Sequence, residues 1–377
     1  MLSPSSPITR IGWKAPPTTL RGSSANATPT SRSRCIRAGA TSPRGAATAG
    51  RPAETLADPA ERARARVELT VVSVLLDAGA GATWRYREAG TGAVLARSEG
   101  LAVASLEAYA AGAFSADPRE PFRVDAERLA ALGDDDLATL FQVTRDNPLA
   151  GLAGRRALLG RLGRVAQAEP AVFGAERARI GTLYDHLAGK ARKGRLWADH
   201  VLETVLWVFA EIWPGRLTLG GANLGDVWRH DAVRADDASD RLVPFHKLSQ
   251  WLTYSLIEPL EEAGVAVGGL DRLTGLAEYR NGGLLLDLGV VTPRDAGVLG
   301  ASFPPDHPVI VEWRALTVAL IDRLAPLVRA RLGVGAESLP LVRLLEGGTW
   351  AAGRRLAAER RPGAAPPIRL ASDGTVL

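Results

Sequence analysis

From about Ala60 onward, the apolar positions of this chain recur mostly with a helical rhythm. In ERARARVELTVVSVLLDAG, from Glu61, Val67, Val71, Val74 and Leu75 fall at i, i+4, i+7 and i+8, one buried stripe of a helix that the Gly79–Gly81 stretch stops. Residues 84–100 switch to short extended pieces around a Gly-Thr-Gly turn, the pattern of a small hairpin. LAVASLEAYAAGAF, from Leu101, is helical again. Short amphipathic helices are expected at 125–132, 134–143 and 152–166, punctuated by Asp and Asn-Pro. ADHVLETVLWVFAEIW (198–213) reads as an apolar helix ended by Pro214-Gly215, and a second runs from Phe245 to a stop at Gly264. VIVEWRALTVALIDRLAPLVRARLG (309–333) is the longest. No internal repeat is visible. The predicted fold class is mainly α with minor β.

Before Ala60 the rhythm disappears. Residues 1–59 are rich in Ser, Thr, Pro, Ala, Gly and Arg, and burial cannot offset their chain entropy. They are predicted to be a disordered basic tail, preceding one large helical domain over 60–377. A linker or an upstream start fits this composition best; a transit peptide shares it, and no secretory apolar region is present.

The tail also corrects a first impression from charge. The chain carries a formal +5, which on its own points to nucleic acid. Eight basic residues and no acid lie in residues 1–53. Taking those eight from the chain's 46 Lys and Arg leaves 38 against 41 acids, a slightly negative body with no general pull on phosphate backbones. The single cysteine, Cys35, lies in the tail, so thiolate metal sites and cysteine nucleophiles are excluded from the body. No run of eighteen apolar residues occurs. The expectation is a cytoplasmic protein with a small-molecule substrate, neither nucleic-acid nor membrane partner, and neither metal nor other cofactor. The five histidines show no HxxxH or HExxH spacing.

Three segments embed polar residues among apolar ones, which core packing alone disfavours. GGANLGDVWRH packs Asp226, Trp228, Arg229 and His230 into five residues. It fits equally a helix start with Asp in the first turn and a functional cluster. In VPFHKLSQWLTYSLIEPLEEAG, a helix from Phe245 aligns Lys247, Trp251, Tyr254 and Glu258 on one stripe, with His246, Gln250 and Thr253 beside it. A cation, an amide and a carboxylate on an aromatic-lined stripe suit a small polar ligand; a plain amphipathic helix is the bland alternative. Glu278-Tyr279-Arg280-Asn281 sits between apolar runs and leads into Gly282-Gly283, read as a close-approach turn beside a presented carboxylate, or as an internal ion pair.

These stretches carry a resemblance. SVLLDAGAG, RSEGLAVASL, FQVTRDNPLAGLAGR, LGDVWRH, LVPFHKLSQWLTYSLIEPL, LTGLAEYRNGGLLLDLGV, LEGGTWAAGR and SDGTVL resemble the domain of unknown function 1688 family, with its fungal uracil-catabolism members and bacterial relatives, over about 62–377. That family carries a further N-terminal His-Ser-Arg-Trp-Arg-His type motif. The tail stands in its place here, so the chain is expected to be N-terminally incomplete.

A weaker resemblance links SEGLAVASLEAY, FHKLSQWL and LTGLAEYRNGGLLLDLGV to the queuosine salvage proteins, helical nucleotide N-glycosylases related in fold to helix-hairpin-helix glycosylases. Glu278-Tyr279-Arg280 stands at that family's Asp-Tyr-Arg motif. Lys247 and Gln250 match its Lys and Gln, and Ser255 replaces its catalytic Asp.

Together the resemblances imply a pyrimidine-catabolic N-glycosidic hydrolase that releases urea from ribosylurea or its 5′-phosphate. Glu278 is the first candidate carboxylate and Glu258 the second, with Asp226 orienting water or a ribose hydroxyl. Arg229, His230, His246, Lys247, Arg280 and Asn281 would bind substrate with Gln250, and Trp251, Tyr254 and Tyr279 would wall it. A non-catalytic binding or scaffolding subunit of the same pathway is the alternative. A DNA-acting glycosylase is disfavoured by the charge of the body.

Overall fold

Among the described residues, helices carry nearly all the regular structure, and the strands occur only in isolated two-stranded pairs. The computed structural model describes residues 52–81 and 83–371. The predicted tail therefore lies outside the described residues up to residue 51. Its last residues do pack: Pro52–Thr55 form a 3-10 turn, and Ala53 is buried in the core with Leu56 against it. The Arg62 side chain, donating to the carbonyls of Leu56 and Ala57 at 2.7 Å, ties this turn to the first long helix. Packing thus begins upstream of Ala60.

Chain contacts gather into two units. The larger takes 52–225 and 248–272 of the described residues. Its first helix, Pro59–Leu76, starts where the Asp58 carboxylate accepts the Ala60 N–H, with Pro at the first helical position. The stripe of Val67, Val71, Val74 and Leu75 is fully buried, as its spacing predicts. Tyr86–Arg87 pairs antiparallel with Val94–Leu95, so the expected hairpin is present. The apolar helix expected over 198–213 ends earlier. Ala198–Val208 is α-helical, Ala210–Ile212 tightens to 3-10, and Trp213 is extended, as a residue before proline is driven to be. Gly220 and Gly221, both at positive φ, make the two-residue turn joining Thr218–Leu219 to Ala222–Asn223. The Lys247–Glu262 helix, apart from its first residue, and the Ala266–Gly268 strand complete this unit.

The smaller unit takes 226–247 and 273–371 of the described residues. Val227–Arg229 pairs antiparallel with Leu242–Pro244, and Ser302–Phe303 pairs parallel with Arg369–Leu370. Its helices are Tyr279–Asp287, Pro308–Leu332, Leu341–Leu344 and Ala351–Arg360, the last two joined by a π-helical turn, Leu345–Trp350. The long helix has His307 as its N-cap, Pro308 at its first position, and Gly333 at positive φ beyond its end. Leu285, Val290 and Val291 form one apolar cluster; Ile310, Trp313 and Ile368 form another.

Two local expectations change here. Asp226–His230 is not a helix start: Val227–Arg229 is a strand, held by its register with Leu242–Pro244. Gly282-Gly283 is not a turn but lies inside the Tyr279–Asp287 helix. Close approach does require glycine there. A Cβ on Gly282 would come within 2.6 Å of both Trp313 Nε1 and Thr317 Oγ1. Among the described residues, no helix is long and apolar enough to cross a membrane.

Candidate functional site

The smaller unit is organised around the Asp226 carboxylate. Arg314, 2% exposed, grips it with two parallel bonds, Nη1 to Oδ1 at 2.8 Å and Nη2 to Oδ2 at 2.7 Å. Trp228 Nε1 adds a third bond to Oδ1 at 2.7 Å, and the Lys247 backbone N–H a fourth to Oδ2 at 3.1 Å. These four donors fill the carboxylate's acceptor positions. Phe245 stacks on the Arg314 guanidinium at 4.1 Å. Burial opposes ionisation most strongly here. The Arg314 charge, with the bonds from Arg314, Trp228 and Lys247, outweighs it and holds the carboxyl below its usual range. Asp226, expected to orient water or a sugar hydroxyl, is instead the anchor that fixes the end of the strand pair to the start of the next helix.

His246 sits at that junction. Its backbone is left-handed, at φ 46°, an unfavourable conformation for a side chain with a Cβ. The Asp226 carbonyl oxygen accepts the N–H groups of Phe245 at 3.0 Å and His246 at 3.3 Å and holds the residue there. Burial lowers the imidazole pKa, the Asp226 charge raises it, and the Arg314 charge lowers it further, so the net shift favours the neutral ring. Lys247 opens the following helix and is partly buried. Arg229 is exposed. His230 Nδ1 accepts the Ala232 N–H at 3.2 Å.

The second part of the site is the first turn of the Tyr279–Asp287 helix. Glu278 is its N-cap, and Oε2 accepts the N–H groups of Arg280 at 2.9 Å and Asn281 at 3.1 Å. Both bonds fall on one oxygen, so the cap does not use Oε1. Burial pushes the Glu278 carboxyl above its usual range, against the charges of Arg280 and Lys247. Lys247, on the Asp226 anchor, and Glu278, on the cap, are thus electrostatically coupled. Arg280 is buried, its guanidinium 4.8 Å from the Trp350 ring and 5.4 Å from Tyr279. Asn281 is 2% exposed, and its Oδ1 accepts the Thr349 hydroxyl at 2.9 Å. The Ala351–Arg360 helix lies so close that a Cβ on Gly353 would stand 2.3 Å from the Arg280 carbonyl oxygen.

The structure brings together Asp226, His246, Lys247, Glu278, Arg280 and Asn281 within the smaller unit. Gln250, Trp251, Tyr254 and Glu258 belong to the larger one. There Gln250 and Tyr254 are buried, Glu258 is partly buried, and Trp251 packs against that unit's core. Their helical spacing holds, since Lys247–Glu262 is one helix.

Arg314, Thr349 and Trp350 are not residues that the sequence singles out individually. For Arg314 a signal existed: it falls on the same helical stripe as Ile310, Val311, Thr317 and Ile321, all buried, so a charge there must meet a partner. For Thr349 and Trp350 the signal was only the LEGGTW run. Its π-helical turn, a form often found at functional sites, is not readable from composition. Among the described residues, no cluster of three His, Cys, Asp or Glu suits a metal ion.

Comparison with known proteins adds lineage to this geometry. The family described as Protein of unknown function (DUF1688) matches residues 22–377. Uracil catabolism protein 4 of Lachancea kluyveri is 42% identical over 348 residues, covering 85% of this chain and 78% of that protein. Protein urg3 of Schizosaccharomyces pombe (strain 972 / ATCC 24843) is 42% identical over 328 residues, covering 85% and 77%.

Proposed function

This chain belongs to the DUF1688 family, and from that premise we propose that it acts in uracil catabolism as an N-glycosidic hydrolase on ribosylurea or its 5′-phosphate. The name of the Lachancea kluyveri relative supports the pathway. The observation that carries the chemistry is Glu278: a partly buried carboxyl, anchored through Oε2, and flanked by the charges of Lys247 and Arg280.

In the proposed reaction the C1′–N bond breaks, the urea nitrogen takes a proton, and a water oxygen bonds to C1′. The products are urea and ribose or its phosphate. Positive charge builds on C1′ and the ring oxygen as the bond breaks. A fixed carboxylate in a low-dielectric site stabilises that charge without having to reorganise. The raised proton affinity of Glu278 also suits it to take the proton of the attacking water. Lys247 and Arg280 hold the phosphate, and Tyr279 walls the sugar. No step draws on a metal or other cofactor.

Urea release from ribosylurea and its 5′-phosphate by the purified protein tests this reading. Release by the wild type and its loss in Glu278→Gln are expected. A second reading, a non-catalytic binding subunit of the pathway, draws support from Asp226, whose carboxylate is fully committed to Arg314, Trp228 and Lys247. Tight binding of the ribosylurea phosphate without urea release would favour it.

A further inference from the structure

The turn that follows the Leu183–Lys190 helix concentrates positive charge. Arg192 and Arg195 close it with reciprocal backbone N–H to carbonyl bonds at 2.8 and 3.0 Å. Lys193 and Gly194, between them, both have positive φ, as in the two-residue turns that fit strand twist. Asn or Gly takes the first of these positions most easily, yet a lysine stands there. The Gly194 carbonyl accepts the Ala266 N–H at 3.0 Å, and Arg195–Trp197 pairs in parallel with Ala266–Gly268, which fixes the turn to the larger unit. Lys190, Arg192, Lys193 and Arg195 are all exposed. The nearby acids are committed elsewhere, Asp199 to Arg272 at 2.9 Å and Asp185 to Arg64 at 2.7 Å. Lys190 donates to the Thr204 hydroxyl at 3.0 Å, and among the described residues none of the four cations has an ion-pair partner.

Trp207 stands beside this cluster, 56% exposed, with Lys190 Nζ 5.9 Å from its ring. Like charges crowded on one turn repel, and an anionic partner relieves that repulsion. An exposed tryptophan next to them supplies the apolar anchor that interfaces favour. The same chain carries a complement. The loop from His230 to Arg241, joining Val227–Arg229 to Leu242–Pro244, is far longer than the roughly two to five residues that close most hairpins. It exposes Asp231, Asp236 and Asp237, with Val233 38% exposed among them. Asp231 pairs with Arg241 at 3.3 Å and Asp240 with Arg234 at 3.4 Å. Asp236 and Asp237 have no ion-pair partner among the described residues. A membrane or a long nucleic acid would extend past the basic turn onto a body whose charge is slightly negative; a short acidic loop would not.

We propose that this protein self-associates, the 190–195 turn and Trp207 of one copy receiving the 231–240 loop and Val233 of another. Used reciprocally, the contact closes a dimer, because each copy offers both halves. The charges set partner choice and the rate of encounter, and the apolar pair is the anchor. This inference goes beyond the catalytic reading and does not depend on it.

Sedimentation of the full chain from about 1 to 100 µM tests it, at about 50 mM and about 500 mM salt. Self-association is expected at low salt and is expected to weaken at high salt. One variant carries Arg192→Glu with Lys193→Glu, so that its turn and its loop are both acidic. A second carries Asp236→Lys with Asp237→Lys, so that both are basic. All four positions are exposed, and circular dichroism checks that each variant keeps its fold. Each variant alone is expected to associate at least about a hundredfold more weakly than wild type, the scale of facing like charges. Mixed in equal amounts, the two are expected to associate with each other, because each then offers the other opposite charge. Trp207→Ala is expected to weaken wild-type association at both salt concentrations.

A wild-type protein that stays monomeric throughout at low salt overturns the proposal. So does self-association that both charge-reversed variants retain, since it then uses another surface. A mixture of the two variants that stays monomeric also overturns it, because charge complementarity between turn and loop is then not what joins the copies. A monomeric wild type whose turn binds a polyglutamate peptide or oligothymidylate, with binding lost in Arg192→Glu with Lys193→Glu, would assign the turn to a different occupant and overturn the second copy.

Discussion

Arg314 and Asp226 form a two-bond ion pair between the long Pro308–Leu332 helix and the residue before the Val227–Arg229 strand, with Arg314 almost wholly buried. Removing one partner of such a pair leaves a buried charge without compensation, which costs roughly 3–5 kcal/mol. Asp226→Asn is therefore expected to destabilise the protein on that scale, measured by denaturant unfolding. A loss below about 1 kcal/mol would mean that the pair does not anchor the site.

The two partly buried carboxyls pull stability in opposite directions with pH. The Asp226 pKa is lowered from its ordinary 3.8, so its contribution is present above that value and is lost as pH falls through the lowered folded-state pKa. The Glu278 pKa is raised from 4.5, so its contribution is full below 4.5 and is lost as pH rises through the raised one. Melting temperatures across about pH 3–7 are expected to show Asp226→Asn falling further behind wild type as pH rises, and Glu278→Gln gaining on it over the same range. Parallel curves for wild type and both variants would contradict the two assignments.

Glu278→Gln keeps shape and hydrogen bonding but removes the charge. A fall in kcat of about a hundredfold or more, with little change in binding, is expected for urea release. Lys247→Ala is expected instead to weaken a phosphorylated ligand by about 1.5–3 kcal/mol, the scale of a hydrogen bond to a charged group. Unchanged turnover in Glu278→Gln would remove this residue from the chemistry.

Gly353→Ala sets two effects against each other. Alanine gains about 1 kcal/mol over glycine in a helix interior. Its Cβ would stand 2.3 Å from the Arg280 carbonyl oxygen, a backbone atom that cannot swing aside. Overpacking of that kind costs about 1–3 kcal/mol or more, so net destabilisation is expected in thermal unfolding, with reduced activity because the Glu278 turn must shift. Gly347→Ala, with nothing within 4 Å of its Cβ, is the control and should be neutral or stabilising by up to about 1 kcal/mol.

Sequence alone determined the helices whose own spacing records their burial. The Val67, Val71, Val74 and Leu75 stripe and the Gly333 stop of the long helix depend only on neighbours within a few turns. It also marked Glu278-Tyr279-Arg280-Asn281 as polar residues demanding partners. It could not say which partners. Arg314 meets Asp226 across 88 positions, and Thr349 meets Asn281 across 68, so both pairings exist only once the chain has folded. Tertiary structure likewise decided that Gly282-Gly283 is helical: local propensity favours a turn, but packing against Trp313 and Thr317 leaves no room for a side chain and keeps the helix intact. It decided that Asp226 is an anchor as well. A carboxylate's role depends on how many donors reach it, and three of the four here come from Arg314 and the Lys247 backbone, 88 and 21 positions away.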